Sequence, residues 1–210
     1  MKVIVLIADI ISSKKIRDRN KIQKSLQSEL KKINRKSRYL ISPMTITLGD
    51  EFQCVYSDAD EIFKHIWGII LACYPERLRF SFGIGTITTD INRKQAIGMD
   101  GPAFHEAREG LSGLKKKDYY FNIRSMENNS DVLNLIRNTL YFISFNVKNW
   151  NKNRIEIMNM LAHEFPVKLI SHNINISEQA VYKNITHGGL QPILDMTKNI
   201  TEIINNMIRE

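Results

Sequence analysis

The stretch Thr45-Ile46-Thr47-Leu48-Gly49-Asp50-Glu51-Phe52 carries a carboxylate to the tip of a β-hairpin. Residues 44–48 are apolar or β-branched and read as a strand opened by Pro43, and Gly49-Asp50 makes a tight turn. Phe52-Gln53-Cys54-Val55-Tyr56 then returns as the next strand. Ala8-Asp9-Ile10 repeats the arrangement near the N-terminus, where the apolar run of residues 2–8 ends on an aspartate. A carboxylate at a strand tip can point into a cleft instead of a core. Two of them separated by one helix can hold a divalent cation against a triphosphate.

The rest of the pattern extends outward from these strands. Residues 16–39 place Ile22, Leu26, Leu30 and Ile33 at helical spacing and read as an amphipathic helix. Ser57 or Asp58 caps a helix that runs to about Cys73 and is closed by Pro75. Phe63 and Trp67, at helical spacing on it, belong to a core. Residues 78–86 alternate, with Gly83 and Gly85 marking close backbone approach. Pro102 starts a helix to about Leu114, and residues 119–123 form a short strand. The expected fold is α+β: a ferredoxin-like βαββαβ arrangement with an α-β extension.

The texture changes at the polar run Met126-Glu127-Asn128-Asn129-Ser130. Helical periodicity dominates beyond it, so the expected organisation is an α+β domain over 1–125 and an all-α domain over 130–210. Within the second, residues 167–185 fit a helix-turn-helix, spanning about 166–187 with its ends. Ile170, Ile174, Ile176, Val181 and Ile185 supply its core, and Asn175 falls where the turn needs a left-handed residue. Ser177 is placed to cap the second helix, and Gly188-Gly189 ends it.

Of the 210 residues, 43% are apolar and 25% charged, the balance of a globular protein rather than a disordered one. The apolar N-terminal run stops at Asp9, too soon for a membrane span or a secretory segment, so the expectation is a soluble, cytoplasmic protein with no membrane partner. Cys54 and Cys73 lie inside apolar segments without metal-ligand spacing and read as buried reduced thiols. The five histidines show no zinc spacing either. The net charge of +8 is concentrated in residues 14–38, where eleven basic residues face Asp18 and Glu29. That run is either a solvated helix face or an electropositive approach to polyphosphate or nucleic acid.

Four segments in order now carry a resemblance: Ala8-Asp9-Ile10; Leu48-Gly49-Asp50-Glu51-Phe52; Phe82-Gly83-Ile84-Gly85; and Gly98 to Arg108. Together they resemble the palm domain shared by class III nucleotide cyclases and GGDEF diguanylate cyclases. With the helical half included, the whole chain is similar to the SatD family of bacterial proteins.

The resemblance implies that Asp9 and Asp50, with the Ile10 carbonyl, hold Mg²⁺ or Mn²⁺, one ion or two. It sets Ser12 and Ser13 beside the phosphates of a nucleoside triphosphate. It gives Arg108 the role of stabilising phosphate charge in a transition state. Glu51 is either a third acidic ligand or general base, or a solvated hairpin residue. Cyclase-type sites form between two palms, so a homodimer is implied. Departures fall at the other end of the site: a base-reading Lys is replaced by Ile46, a ribose-orienting Asn by Phe104, and a glycine by Leu48.

In the helix-turn-helix, Gln179 and Asn184 are suited to reading adenine and Lys183 to reaching phosphate of double-stranded DNA. The half that carries them is nearly neutral, with 8 basic residues against 7 acidic over 130–210. Three functional readings follow. They are a nucleotide-responsive DNA-binding regulator, an active cyclase or nucleotidyl-transfer enzyme, and an interaction scaffold with relic metal residues.

Overall fold

A strand that is apolar on both faces must be covered on both faces, and Val3–Ile10 is buried at all eight positions. It is β1 in a computed structural model that describes residues 1–13, 16–117, 119–126 and 130–209. The elements that follow are α1 (Arg19–Lys36), β2 (Leu40–Leu48), β3 (Glu51–Tyr56), α2 (Ile62–Cys73), β4 (Leu78–Gly85), α3 (Pro102–Lys115) and β5 (Phe121–Ser125). Five helices complete the described chain: α4 (Ser130–Val147), α5 (Lys152–Ala162), α6 (Val167–Ile174), α7 (Glu178–Gly188) and α8 (Leu190–Arg209).

The five strands form one mixed sheet in the order β2-β3-β1-β4-β5. β1 is antiparallel to both neighbours, and β5 joins β4 in parallel through the α3 crossover. Strand periodicity sends Ile4, Leu6, Ala8 and Ile10 into the larger core, shared with Leu26 of α1 and Ile66 of α2. Val3, Val5 and Ile7 face the opposite way, onto Ala103, Phe104, Ala107 and Leu111 of α3. Gly83 is where α3 comes closest, because a β-carbon there would collide with the Ala103 carbonyl and the Ala107 amide.

Several boundaries differ from the sequence expectation. β2 begins at Leu40, with Pro43 inside it. Proline is tolerated there because β2 is an edge strand whose register slips between Ser42 and Thr45. α1 begins at Arg19, where the Asp18 side chain accepts from the Lys21 amide. α2 begins only at Ile62, since the Asp58 carboxylate is spent on the Asp60 amide and the Ser57 hydroxyl donates to the Tyr39 carbonyl. Of the basic run, Lys14 and Lys15 lie outside the described residues, as do Glu127, Asn128 and Asn129 of the polar run.

One buried cluster extends from Ile4 to Ile204, so the five later helices pack on the same core as the sheet. Trp67 of α2 lies 5.9 Å from Trp150 between ring centroids. Asn205 of α8, itself buried, accepts from the Ala59 amide at 2.7 Å and donates to Asp60 at 2.7 Å. Between α6 and α7, Asn175 adopts φ 54° and ψ 50°, and the Ser177 side chain accepts from the Ala180 amide. Both cysteines are buried, and burial pushes the Cys73 thiol up to about 12. No described helix is long and apolar enough to cross a membrane.

Candidate functional site

The end of β1, the β2–β3 hairpin, the start of β4 and the end of α3 meet around a cleft of about 450 Å³. The strand pairing brings them together. Ala8 pairs with Phe52, which sets the hairpin beside the end of β1, and Asp9 pairs with Arg79 across β4. Asp9 shares the face of Val3, Val5 and Ile7, so it looks toward α3, whose last residue is Lys115. At the hairpin, Gly49 takes φ 64° as the first residue of a two-residue turn, and Leu48 pairs with Glu51.

Asp9, Ile10, Ser12, Ser13, Asp50 and Glu51 all line this cleft, with Arg79, Lys115 and Leu48. Asp9 is heavily committed. Arg79 Nη1 lies 3.3 and 3.4 Å from its two carboxylate oxygens, and Lys115 Nζ lies 3.3 Å from Oδ2. The two cations differ in freedom: the Arg79 side chain is 15% exposed and that of Lys115 is 50% exposed. Arg79 Nε is buried with no hydrogen-bond partner among the described residues. Asp50 is paired more loosely, with Arg19 Nη2 at 3.7 Å. Ser12 holds a left-handed backbone, φ 56°, at the turn leaving β1. Such a conformation is costly for a non-glycine residue and recurs at functional sites.

Arg108 does not reach this cleft. It is exposed on α3, seven residues before Lys115, which at 1.5 Å per residue is roughly 10 Å along the helix axis. Its neighbours Glu106 and Glu109 are taken by Arg124 at 2.7 and 2.6 Å. Asp100 is held below the usual carboxylate range by the Gly101 amide and His105, with a smaller contribution from Arg108. Phe104 is buried under the sheet, and Ile46 packs partly buried against the larger core. On α7, Gln179 and Lys183 are exposed, while the Asn184 amide donates to the Ala180 carbonyl of its own helix.

Arg79 and Lys115 were not among the residues expected from sequence. Arg79 is the single charged residue of β4, which was the available signal, but only the register shows that it faces Asp9.

The oxygen donors of the cleft suit a hard divalent cation. Among the described residues no three His, Cys, Asp or Glu side chains converge as a preformed cage. Magnesium rarely needs one, since it keeps waters and takes substrate oxygens. The Asp50–Glu51 side fits an ion best, because Arg19 there is half exposed and only loosely paired. At Asp9 an ion meets the fixed Arg79. One pair of unit charges 4 Å apart is worth roughly 4 kcal/mol at an effective dielectric near 20.

The family model of SatD matches residues 3–204. The chain belongs to the SatD family. No curated protein matches this SatD-family chain. Two solved structures of a bacterial light-regulated adenylyl cyclase are similar to it at 13% identity, with TM-scores of 0.43 and 0.41. Each match covers 59% of the SatD-family chain and 43% of the cyclase chain, so it spans less than half the length of those structures.

Proposed function

We propose that the cleft binds a nucleoside triphosphate together with Mg²⁺ or Mn²⁺. The observation that carries this reading is the convergence of Asp9, Asp50 and Glu51 with Ser12, Ser13, Arg79 and Lys115 on one cleft. On this reading the strands in the order β2-β3-β1-β4 are a ferredoxin-like palm. Asp50, assisted by Glu51 and the Ile10 carbonyl, holds the cation. The cation when bound neutralises phosphate charge and lowers the barrier to attack at phosphorus.

The chain's own groups do the rest. Ser12 and Ser13 donate hydroxyls at the turn, and Lys115 leaves Asp9 to meet phosphate oxygens. Arg108, exposed and remote within one chain, acts only if a second copy delivers it to the site. One chain is then a binding module, and turnover belongs to a homodimer.

The corner between α6 and α7 is read as a helix-turn-helix. Its left-handed Asn175 and the helix-capping Ser177 supply the turn, and its exposed Gln179 and Lys183 offer DNA contacts. Asn184 contributes only by giving up its bond to Ala180. α8 docks on Ala59 and Asp60 at the entry to α2, and on this reading nucleotide occupancy is transmitted to this corner through the shared core.

Calorimetric titration of ATP and GTP with Mg²⁺ into wild type and Asp50→Ala, followed by chromatography of the recovered nucleotide, tests the reading. Metal-dependent binding that Asp50→Ala abolishes supports it. Recovery of the nucleotide unchanged marks a sensor, and conversion marks an enzyme. Absence of binding to the wild type refutes it and leaves the scaffold reading.

A further inference from the structure

We infer that the Arg79 guanidinium takes the place of one of two divalent cations, so that this cleft accepts a triphosphate with a single metal ion. The inference rests on the reading of the cleft as a triphosphate site and specifies the charge pattern that the site recognises.

Three observations carry it. First, Arg79 is fixed in position by the sheet. Its backbone pairs with Asp9 between β1 and β4, and its side chain is only 15% exposed. Lys115, half exposed at the end of a helix, can swing into solvent, whereas Arg79 has no comparable exit. Second, both Asp9 oxygens already face Nη1, so the carboxylate that would hold an ion at this end has an organic cation against it. Third, Arg79 lines the cleft, and its Nε–H is buried with no acceptor among the described residues. A guanidinium carries five N–H donors in a planar fork, and the contacts to Asp9 use only those on Nη1. The remaining donors suit phosphate oxygens, which guanidinium meets in bidentate geometry.

The electrostatics separate the two ends of the cleft. At the hairpin end, Asp50 has one loosely held and half-exposed arginine, and Glu51 stands beside it, so a dication gains two carboxylates there. At the β1 end, one carboxylate already serves two cations, and a dication would add like charge against an immobile neighbour. The anion then meets a metal ion at the hairpin end and the Arg79 guanidinium at the β1 end, where Lys115 can join it.

The test counts Mn²⁺ retained per protein by electron paramagnetic resonance at saturating tripolyphosphate, the probe that isolates the phosphate part of the site. Wild type is expected to retain one ion, Arg79→Met two, and Arg79→Lys one, because lysine restores the charge. Arg79→Gln, which keeps a polar head beside Asp9, replaces the methionine variant if that proves poorly folded by circular dichroism. Two ions in the wild type overturn the inference and leave the triphosphate reading standing. One ion in both the wild type and the neutral variants also overturns it. No retained Mn²⁺ in the wild type overturns the triphosphate reading itself, and the inference with it.

Discussion

Asp9 and Arg79 face one another across the β1–β4 pair, with Nη1 at 3.3 and 3.4 Å from the two carboxylate oxygens. The pair is mostly withdrawn from water, so removing one partner costs more than the pair is worth, because the other charge remains buried. Arg79→Met is expected to lower stability by about 2 kcal/mol in urea unfolding, less than a fully orphaned charge, since Lys115 stays beside Asp9. The double variant Asp9→Asn, Arg79→Met should lose less than the sum of the two single changes. Additive losses would show that the pair is not coupled.

His65 gives a pH dependence with a definite sign. It is partly buried, with Nδ1 2.8 Å from the Tyr56 hydroxyl, and desolvation pushes its pKa down from 6.5 to about 4 despite the Glu61 carboxylate at 3.8 Å. Between those values the unfolded chain binds a proton and the folded chain does not. Stability is therefore complete above the unfolded value and is lost as the pH falls through the window. The contribution is on the order of 3 kcal/mol. His65→Gln, which keeps an acceptor for Tyr56, should flatten the slope of unfolding free energy between about pH 6.5 and 4. An unchanged slope would assign the acid sensitivity elsewhere.

Asn205 ties α8 to the entry of α2 through the Ala59 amide and the Asp60 carboxylate. Asn205→Leu removes both partners' bonds at a buried position and should cost about 1–3 kcal/mol. With one core running from Ile4 to Ile204, fluorescence of Trp67 and Trp150 and far-ultraviolet circular dichroism should report a single coincident transition. Two separated transitions would show that the helices after residue 130 unfold on their own.

Gly83→Ala should be poorly tolerated. The added methyl would run into the α3 backbone at Ala103 and Ala107, which cannot rotate away as a side chain can. A loss of several kcal/mol or insoluble expression is expected, as for severe overpacking. By contrast, Gly113→Ala, with open space at its β-carbon, should be neutral or slightly stabilising, since alanine favours helix by about 1 kcal/mol.

Much of the architecture was legible because it depends on local pattern. The unbroken apolar run of β1 announced a strand covered on both faces, and Asn175 and Ser177 announced the turn and cap between α6 and α7. Glycine at position 49 announced the hairpin. What stayed hidden depends on neighbours far along the chain. Pro43 looks like a strand opener until β2 is known to be an edge strand with a slipped register. Asp58 looks like a helix cap, yet its carboxylate is used one turn earlier. Within the cleft, Asp9 and Asp50 could be singled out as strand-tip carboxylates. Arg79 could not be joined to them, because one residue of register decides whether it meets Asp9 or the opposite face. Arg108 and Lys115 lie on the same helix, and only the sheet's position relative to α3 determines that Lys115 is the one at the cleft.

The most direct measurement is anomalous diffraction from crystals grown with Mn²⁺ and a non-hydrolysable ATP or GTP analogue. A manganese peak is expected in the cleft at coordination distance from an Asp50 oxygen, with the phosphates against Arg79 and Ser12. A cleft without manganese or phosphate density at saturating ligand, with Asp9 still held by Arg79 and Lys115, would contradict it.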